Sequence, residues 1–233
     1  MNIGLFGYGK MGKMIEQLAQ DRGHSIVAKI DDSSQDIDYT QMDVAIDFST
    51  PEAAFENITN CFKNNVPVIS GTTGWLDKFS EAINICEEHK SAFIYASNFS
   101  LGVNIFFELN NHLAKMMAEL KQYKVSMEEI HHTQKVDAPS GTAITLAEGI
   151  IENTPYESWA LDKSKDNTIP IKSIREGVVP GTHSISYRSS VDTIEIKHEA
   201  HNREGFALGA VIASEWIHGK IGIFSMKDVL NLS

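Results

Sequence analysis

The stretch from Asn2 to Ile30 constrains the fold more than any other part of the chain. Asn2 to Phe6 is a short apolar run, and Gly7-Tyr8-Gly9-Lys10-Met11-Gly12 follows it. Met11, Met14, Ile15, Leu18 and Ala19 then recur at helical spacing. Gly23 closes that helix, and Ser25 to Ile30 has the texture of a second strand. A strand, a tight glycine turn, a helix and another strand imply parallel pairing, because the helix carries the chain back to the edge where the first strand began. An α/β sheet is therefore expected from the opening residues.

The alternation continues along the first half. Val44 to Ser49 reads as a strand, and Ser49-Thr50-Pro51-Glu52 as a helix entry, with a hydroxyl to cap and a proline suited to the first turn. Val66 to Ser70 and Ala92 to Ser97 are further strands, with a helix from Leu76 to His89 between them. After Asn98 the texture changes. A long helix from Ser100 to Leu120 precedes a strand from Lys124 to Ile130 and a helix from Pro139 to Ile151, and the polar stretch Glu152 to Ile169 reads as a loop. IKSIREG, THSISYRS and DTIEIKHEA then form three strands of a mixed or antiparallel sheet. Glu204 to Lys220 returns to helical periodicity and is expected to pack back on the first lobe. The expected fold class is α/β: a Rossmann-type dinucleotide-binding lobe of residues 1–98 with 207–233, and an α+β lobe with a mixed sheet over residues 99–206.

At 233 residues, of which 42% are hydrophobic, the chain can bury a sizeable core. It has no apolar run of about 18 residues and no charged leader before its first strand, so the expectation is a soluble, cytoplasmic protein without a membrane partner. A formal net charge of −11 argues against nucleic acid, whose phosphates need a basic surface. An anionic ligand would have to find a locally positive pocket. Cys61 and Cys86 both fall in helical patterns without ligand-like spacing, and are expected to be buried thiols rather than a disulfide or a metal site.

In its strand–turn–helix setting, Gly7, Tyr8, Gly9, Lys10, Met11 and Gly12 make a candidate pyrophosphate cradle. Its glycines allow the tight turn and a close backbone approach, and the helix start offers free N–H groups. Asp31 and Asp32 end the second strand, where an acidic side chain accepts from ribose hydroxyls and repels a 2′-phosphate. NADH should therefore be favoured over NADPH, with Lys10 the opposing charge. Gly71-Thr72-Thr73-Gly74 and Ala96-Ser97-Asn98-Phe99 follow predicted parallel strands at the carboxyl rim, and are candidates to hold a nicotinamide.

The densest chemistry lies in EEIHHTQKVDAPSGT, from Glu128 to Thr142. His131 and His132 begin on opposite faces if the strand persists, and so should have different jobs. Lys135 adds a positive charge, while Ser140, Gly141 and Thr142 supply N–H groups and hydroxyls at a helix start. In so acidic a chain this reads as an anion pocket with a proton donor in it. Adjacent histidines diverge and a third ligand is not evident, which disfavours a metal.

These motifs resemble the 4-hydroxy-tetrahydrodipicolinate reductase (dihydrodipicolinate reductase) family over essentially the whole chain. GYGKMG, AIDFS, GTTG, ASNFSLGVN, a GTH turn at Gly181 to His183 and the closing MKDVL all contribute, and His131 to Thr142 matches the family's His-His-x-x-Lys-x-Asp-Ala-Pro-Ser-Gly-Thr pattern throughout. The resemblance implies reduction of 4-hydroxy-tetrahydrodipicolinate with loss of water, using NADH or NADPH, in lysine and diaminopimelate synthesis. It implies His131 as acid/base with Lys135 as partner donor, and His132, Lys135, Gly141 and Thr142 on the carboxylates of a small heterocyclic substrate. It also implies Gly7 to Gly12, Asp31, Gly71 to Thr73 and Ala96 to Phe99 on the cofactor, and a homotetramer built through the mixed sheet. Two departures stand out: a glycine loop one residue shorter than in many members, and Asp32 where some have arginine. The rival readings are a related dehydrogenase acting on another imine or amino acid, and a nucleotide sensor without turnover.

Overall fold

The computed structural model describes residues 1–31, 37–163 and 165–232. The chain divides into two compact units, Met1–Leu101 with Glu204–Ser233, and Gly102–Arg203.

In the first unit, β1 (Asn2–Phe6), β2 (Ser25–Ile30), β3 (Val44–Asp47), β4 (Val68–Ser70), β5 (Ala92–Tyr95) and β11 (Gly222–Phe224) form one parallel sheet in the order β11-β5-β4-β3-β1-β2. Strands covered on both faces read as continuous apolar runs, and Val44 to Asp47 is buried at every position. One face packs Ile3, Leu5, Ile46 and Ile94 against α1 (Lys10–Asp21) and α6 (Glu204–Ile217). The other packs Phe6, Ala45, Val68 and Phe93 against α2 (Pro51–Lys63) and α3 (Phe79–Glu88). Helix α6 comes close because it is built of small residues: a Cβ on Gly209 would stand 1.7 Å from the Phe99 carbonyl oxygen. Cys61 and Cys86 are buried free thiols in α2 and α3.

In the second unit, β6 (Lys124–His131), β7 (Ser158–Leu161), β8 (Thr168–Arg175), β9 (Gly181–Arg188) and β10 (Thr193–Ala200) form a mixed sheet in the order β10-β9-β6-β8-β7. Strand β6 runs antiparallel to β9 and parallel to β8. Val125, Met127, Glu129 and His131 are the buried residues of β6, alternating with more exposed ones as a sheet covered on one face requires. Their apolar members pack with Leu113 and Met117 of α4 (Leu101–Met117) and with Leu146 and Ile150 of α5 (Gly141–Ile151).

Several expected boundaries move. The stretch expected to be a loop holds β7, an edge strand paired among the described residues with β8, whose apolar core of Trp159 to Leu161 is too short to stand out among polar neighbours. Strand β11 and the short helix α7 (Met226–Leu230) lay outside the expected elements. Strand β4 starts at Val68, after Pro67, which has no N–H to give a ladder. A 3-10 turn at Leu76–Lys78 precedes α3. Thr50 caps α2 through its backbone, without a side-chain hydrogen bond. Among the described residues no helix is long and apolar enough to cross a membrane.

Candidate functional site

In the first unit the glycine turn and the carboxyl ends of β2 and β3 line a cavity of about 550 Å³, bordered by Gly7, Gly9, Asp31, Ser49, Thr50 and Asn57. The turn fits a dinucleotide. Gly7 has φ +89°, and a Cβ there would lie 2.2 Å from the Phe48 carbonyl oxygen. A Cβ on Gly12 would lie 2.3 Å from the Gly7 carbonyl oxygen, so α1 packs tightly on the turn. A Cβ on Gly9 would meet nothing within 4 Å. Gly9 is also the N-cap of α1 and adds no side-chain cap, which leaves the helix-start N–H groups for an anion. Asp31 is exposed at the end of β2, and its Oδ1 accepts the Tyr8 N–H at 2.9 Å, tying the carboxylate to the turn. Asp32, the other expected ribose group, lies outside the described residues. Lys10 is exposed, whereas the hydroxyl of Tyr8 donates to Glu16, itself paired with Lys29 at 2.7 Å.

The loops after β3 and β4 meet on Asp47. Its Oδ1 accepts from Ser49 Oγ at 2.5 Å, and its Oδ2 from Thr72 Oγ1 at 2.7 Å and Ser70 Oγ at 2.8 Å. Burial pushes this carboxyl above its ordinary value, against the pull of those hydroxyls. Thr72, buried, also accepts the Ser49 N–H at 2.9 Å, so its hydroxyl is spent within the protein. Phe99 turns its ring away from the rim. The ring is 1% exposed, lies in the core and tilts against Phe48, because the residue after the β5 rim turns inward. Met11 is likewise partly buried against the core. Thr73, Gly74 and Ser97 are the exposed members of the two turns, with Gly71, Ala96 and Asn98 half-buried.

The second unit builds its site across three strands. Register pairs Glu129 with His183 of β9 and His131 with Arg175 of β8. Alternation points Glu129 and His131 to the same covered face of β6. Glu129 is fully buried. Its Oε1 accepts from Arg175 Nη2 at 2.9 Å, and the Ser140 N–H reaches both carboxylate oxygens at 3.1 Å. His131 Nδ1 stands 3.4 Å from Glu129 Oε2, and the His131 and His183 rings meet edge-on at 5.0 Å. Burial alone would raise the Glu129 carboxyl, but His183, Ser140 and Arg175 hold it well below the usual carboxylate range. His183 Nε2 is 3.7 Å from Oε2, beyond hydrogen-bond reach, whereas Ser140 and Arg175 bond the carboxylate directly. Burial, then His183, with Lys135 and Arg175 behind, lowers His131 to about 4 against the opposing pull of Glu129.

After β6 the chain turns, and His131 and His132 do part company. His131 is buried, while His132 is half-buried with an Nδ1 that has no hydrogen-bond partner among the described residues. Lys135 Nζ pairs with Asp137 Oδ2 at 2.8 Å, and the Asp137 carbonyl accepts from Arg175 Nη2 at 2.6 Å. Ser140 differs from the expectation of a ligand-facing hydroxyl. It is 3% exposed, and its Oγ caps α5 by accepting the Ala143 N–H at 3.2 Å and lies 3.1 Å from His183 Nε2. The free helix-start groups are those of Gly141 and Thr142. Glu129, His131 and His183 place ligand-type atoms within 4.8 Å of one another. Arg175 bonds Oε1 of that carboxylate while His131 and His183 approach Oε2, which makes the set an ionic cluster.

Glu129, Arg175 and His183 were not among the expected site residues. The signal for Glu129 was available: it shares the buried parity of Val125, Met127 and His131 in β6. His183 lay in the GTH turn without an assigned role, and Arg175 had no local signal; only strand register brings them to β6.

A parallel sheet in this order with a glycine turn at its rim, together with a buried ionic cluster on a mixed sheet, defines a two-unit α/β protein of the nucleotide-binding oxidoreductase kind. Family models described as dihydrodipicolinate reductase, N-terminus and C-terminus, match residues 1–99 and 102–230, and the chain belongs to the dihydrodipicolinate reductase family. It is 58% identical, over 99% of its length and 98% of the relative's, to the 4-hydroxy-tetrahydrodipicolinate reductase of Christiangramia forsetii. It is 35% identical to the protein of that name from Neisseria meningitidis serogroup B, over 94% of this chain and 84% of that one. Among solved structures, the dipicolinate-bound dihydrodipicolinate reductase from Paenisporosarcina sp. TG-14 shares the fold, with a TM-score of 0.80 at 24% identity over 97% of each chain. A probable dehydrogenase from Thermotoga maritima follows at a TM-score of 0.58 and 10% identity, over 100% of this chain and 93% of that one.

Proposed function

We propose that the chain reduces 4-hydroxy-tetrahydrodipicolinate to tetrahydrodipicolinate. Substrate, NAD(P)H and one proton enter; product, NAD(P)+ and water leave. The observation that carries this reading is the second unit's cluster, in which His131 and Lys135 are joined through Glu129, Arg175 and Asp137 beside the start of α5. The shared name of relatives at 58% and 35% identity supports the substrate.

When bound, the reduced nicotinamide supplies the hydride. The chain's own residues do the rest. Gly7 to Gly12 and Asp31 hold the dinucleotide, with Gly71 to Thr73 and the Ala96 to Phe99 backbone at the rim. His132, Lys135 and the N–H groups of Gly141 and Thr142 hold the substrate's carboxylates. His131 delivers the proton that balances negative charge built on the ring, with Lys135 as partner donor. Free of ligand, His131 is neutral at pH 7; a bound dicarboxylate adds the countercharge that favours its imidazolium. In this reading residues 1–98 with 207–233 serve the cofactor and residues 99–206 the substrate and assembly into a cytoplasmic homotetramer. The Asp31 carboxylate favours NADH over NADPH.

The test is oxidation of NADH and of NADPH followed by absorbance, with substrate generated from pyruvate and aspartate semialdehyde by the preceding synthase. Turnover at least as efficient with NADH supports both the reaction and the role of Asp31. Turnover with NADPH alone discards the cofactor preference, and none with either, despite cofactor binding, overturns the reaction. Lys135→Ala should raise KM for substrate and lower kcat together, since the residue has two duties; unchanged values of both would remove it from the pocket.

A further inference from the structure

We propose that Glu129 is the positioning residue of this site: its buried carboxylate sets the His131 imidazole on one side and, through Arg175, the Lys135 loop on the other. The inference rests on the reading of His131 as the acid.

The geometry converges from four segments. From β6 itself, His131 Nδ1 stands 3.4 Å from Oε2. From β8, Arg175 Nη2 bonds Oε1 at 2.9 Å and also donates to the Asp137 carbonyl at 2.6 Å. From the start of α5, the Ser140 N–H bonds both oxygens at 3.1 Å. From β9, His183 Nε2 lies 3.7 Å from Oε2 and 3.1 Å from Ser140 Oγ. Asp137 in turn holds Lys135 at 2.8 Å, so the two residues assigned to proton transfer share one frame whose hub is Glu129. On its other side the His131 ring abuts Gly181, where a Cβ would stand 3.0 Å from Nε2. The imidazole is thus held between a carboxylate and a position without a side chain.

A carboxylate in this place has a second consequence. It is the negative charge facing His131, against His183 of β9, Lys135 of the following loop and Arg175 of β8, and Arg175 competes with His131 for it. Neutralising the carboxylate leaves the imidazole facing only cations. Removing Arg175 leaves the carboxylate to the imidazole. The two changes therefore shift His131 in opposite directions.

The experiment is NMR titration of His131 in the full chain without substrate, together with kcat and KM over pH, for the parent, Glu129→Gln and Arg175→Gln. In Glu129→Gln the His131 titration should fall, and in Arg175→Gln it should rise, each by about one pH unit or more, the usual effect of a charge at this distance. Turnover by Glu129→Gln should drop roughly tenfold or more while KM for cofactor holds, an effect on the acid rather than on binding. Glu129→Asp, which keeps the charge, should restore the pH profile while recovering part of the rate. Shifts of the same sign in both variants, or none, overturn the proposal and leave Glu129 a folding residue. If Glu129→Gln does not fold, the direction seen in Arg175→Gln decides alone. The titration needs no turnover, so failure of the parent to reduce the substrate would count against the function and not against this arrangement.

Discussion

Among the described residues each unit buries one carboxylate at its candidate site, and the two are treated in opposite ways. Asp47, at the end of a strand covered on both faces, meets neutral donors, the hydroxyls of Ser49, Ser70 and Thr72 with the Asn57 amide behind them, and burial pushes its carboxyl up. Glu129, on the covered face of a one-sided sheet, meets the Arg175 cation and the Ser140 N–H, and its carboxyl is held down. Neutral donors suit a rim that stays in place while a cofactor binds beside it. Charged donors suit a cluster that acts on a neighbouring imidazole, because only a charge reaches His131 across 3.4 Å without a hydrogen bond.

The sharpest break in that comparison would come from His131→Gln. It should lower kcat by roughly 10²–10⁴-fold, the range for lost acid–base catalysis, while NADH affinity, read by fluorescence titration, stays put. A comparable loss of cofactor affinity would erase the division of labour between the units.

Next comes stability. Glu129→Ala leaves the half-buried Arg175 guanidinium without its carboxylate and should destabilise by up to ~3–5 kcal/mol, the range for breaking a buried ion pair. Asp47→Ala leaves only hydroxyls to be satisfied and should destabilise by ~1–3 kcal/mol. Urea unfolding measures both, and equal effects would mean that the kind of donor does not matter.

Acid separates the units further. The folded state holds Glu129 below its ordinary value, so its contribution is complete above the unfolded carboxylate range and is lost as pH falls through the folded value. His131, lowered from 6.5 to about 4, adds to this: between those values the unfolded chain binds the extra proton and stability declines with falling pH. Asp47 runs the other way. Its raised carboxyl gives a contribution present below the unfolded value and lost as pH rises through the folded one. Hydrogen exchange, corrected for intrinsic rates, should therefore accelerate more in β6 and β9 than in β3 and β4 between pH 7 and pH 4. Matching acceleration would refute the contrast.

The smallest effect concerns Asp31. Asp31→Ser should raise the efficiency of NADPH relative to NADH about fivefold, an exposed charge contact being worth up to ~1 kcal/mol. An unchanged ratio would move the preference to residues elsewhere.

Much of the first unit was legible because its signals are local. Glycines between a strand and a helix, an acidic residue closing β2, and apolar runs bounded by turns each reflect a few neighbouring residues. The second unit was legible where it is local too, in His131, His132, Lys135 and the start of α5. What escaped was of another kind. Strand β7 has only an edge position to mark it, the Phe99 ring turned into the core, and the Ser140 hydroxyl served as a helix cap and a neighbour to His183.

The sequence by itself determined the order of elements, the glycine turn and the parity that puts Glu129 and His131 on one face of β6, because each depends on backbone geometry over a few residues. Only the tertiary structure decided that Arg175 and His183 meet them. Their positions follow from the register of β8 and β9 against β6, and a slip of one residue would have turned both side chains to the opposite face. Register is set by which faces the helices cover, a property of the packed sheet that no single strand carries.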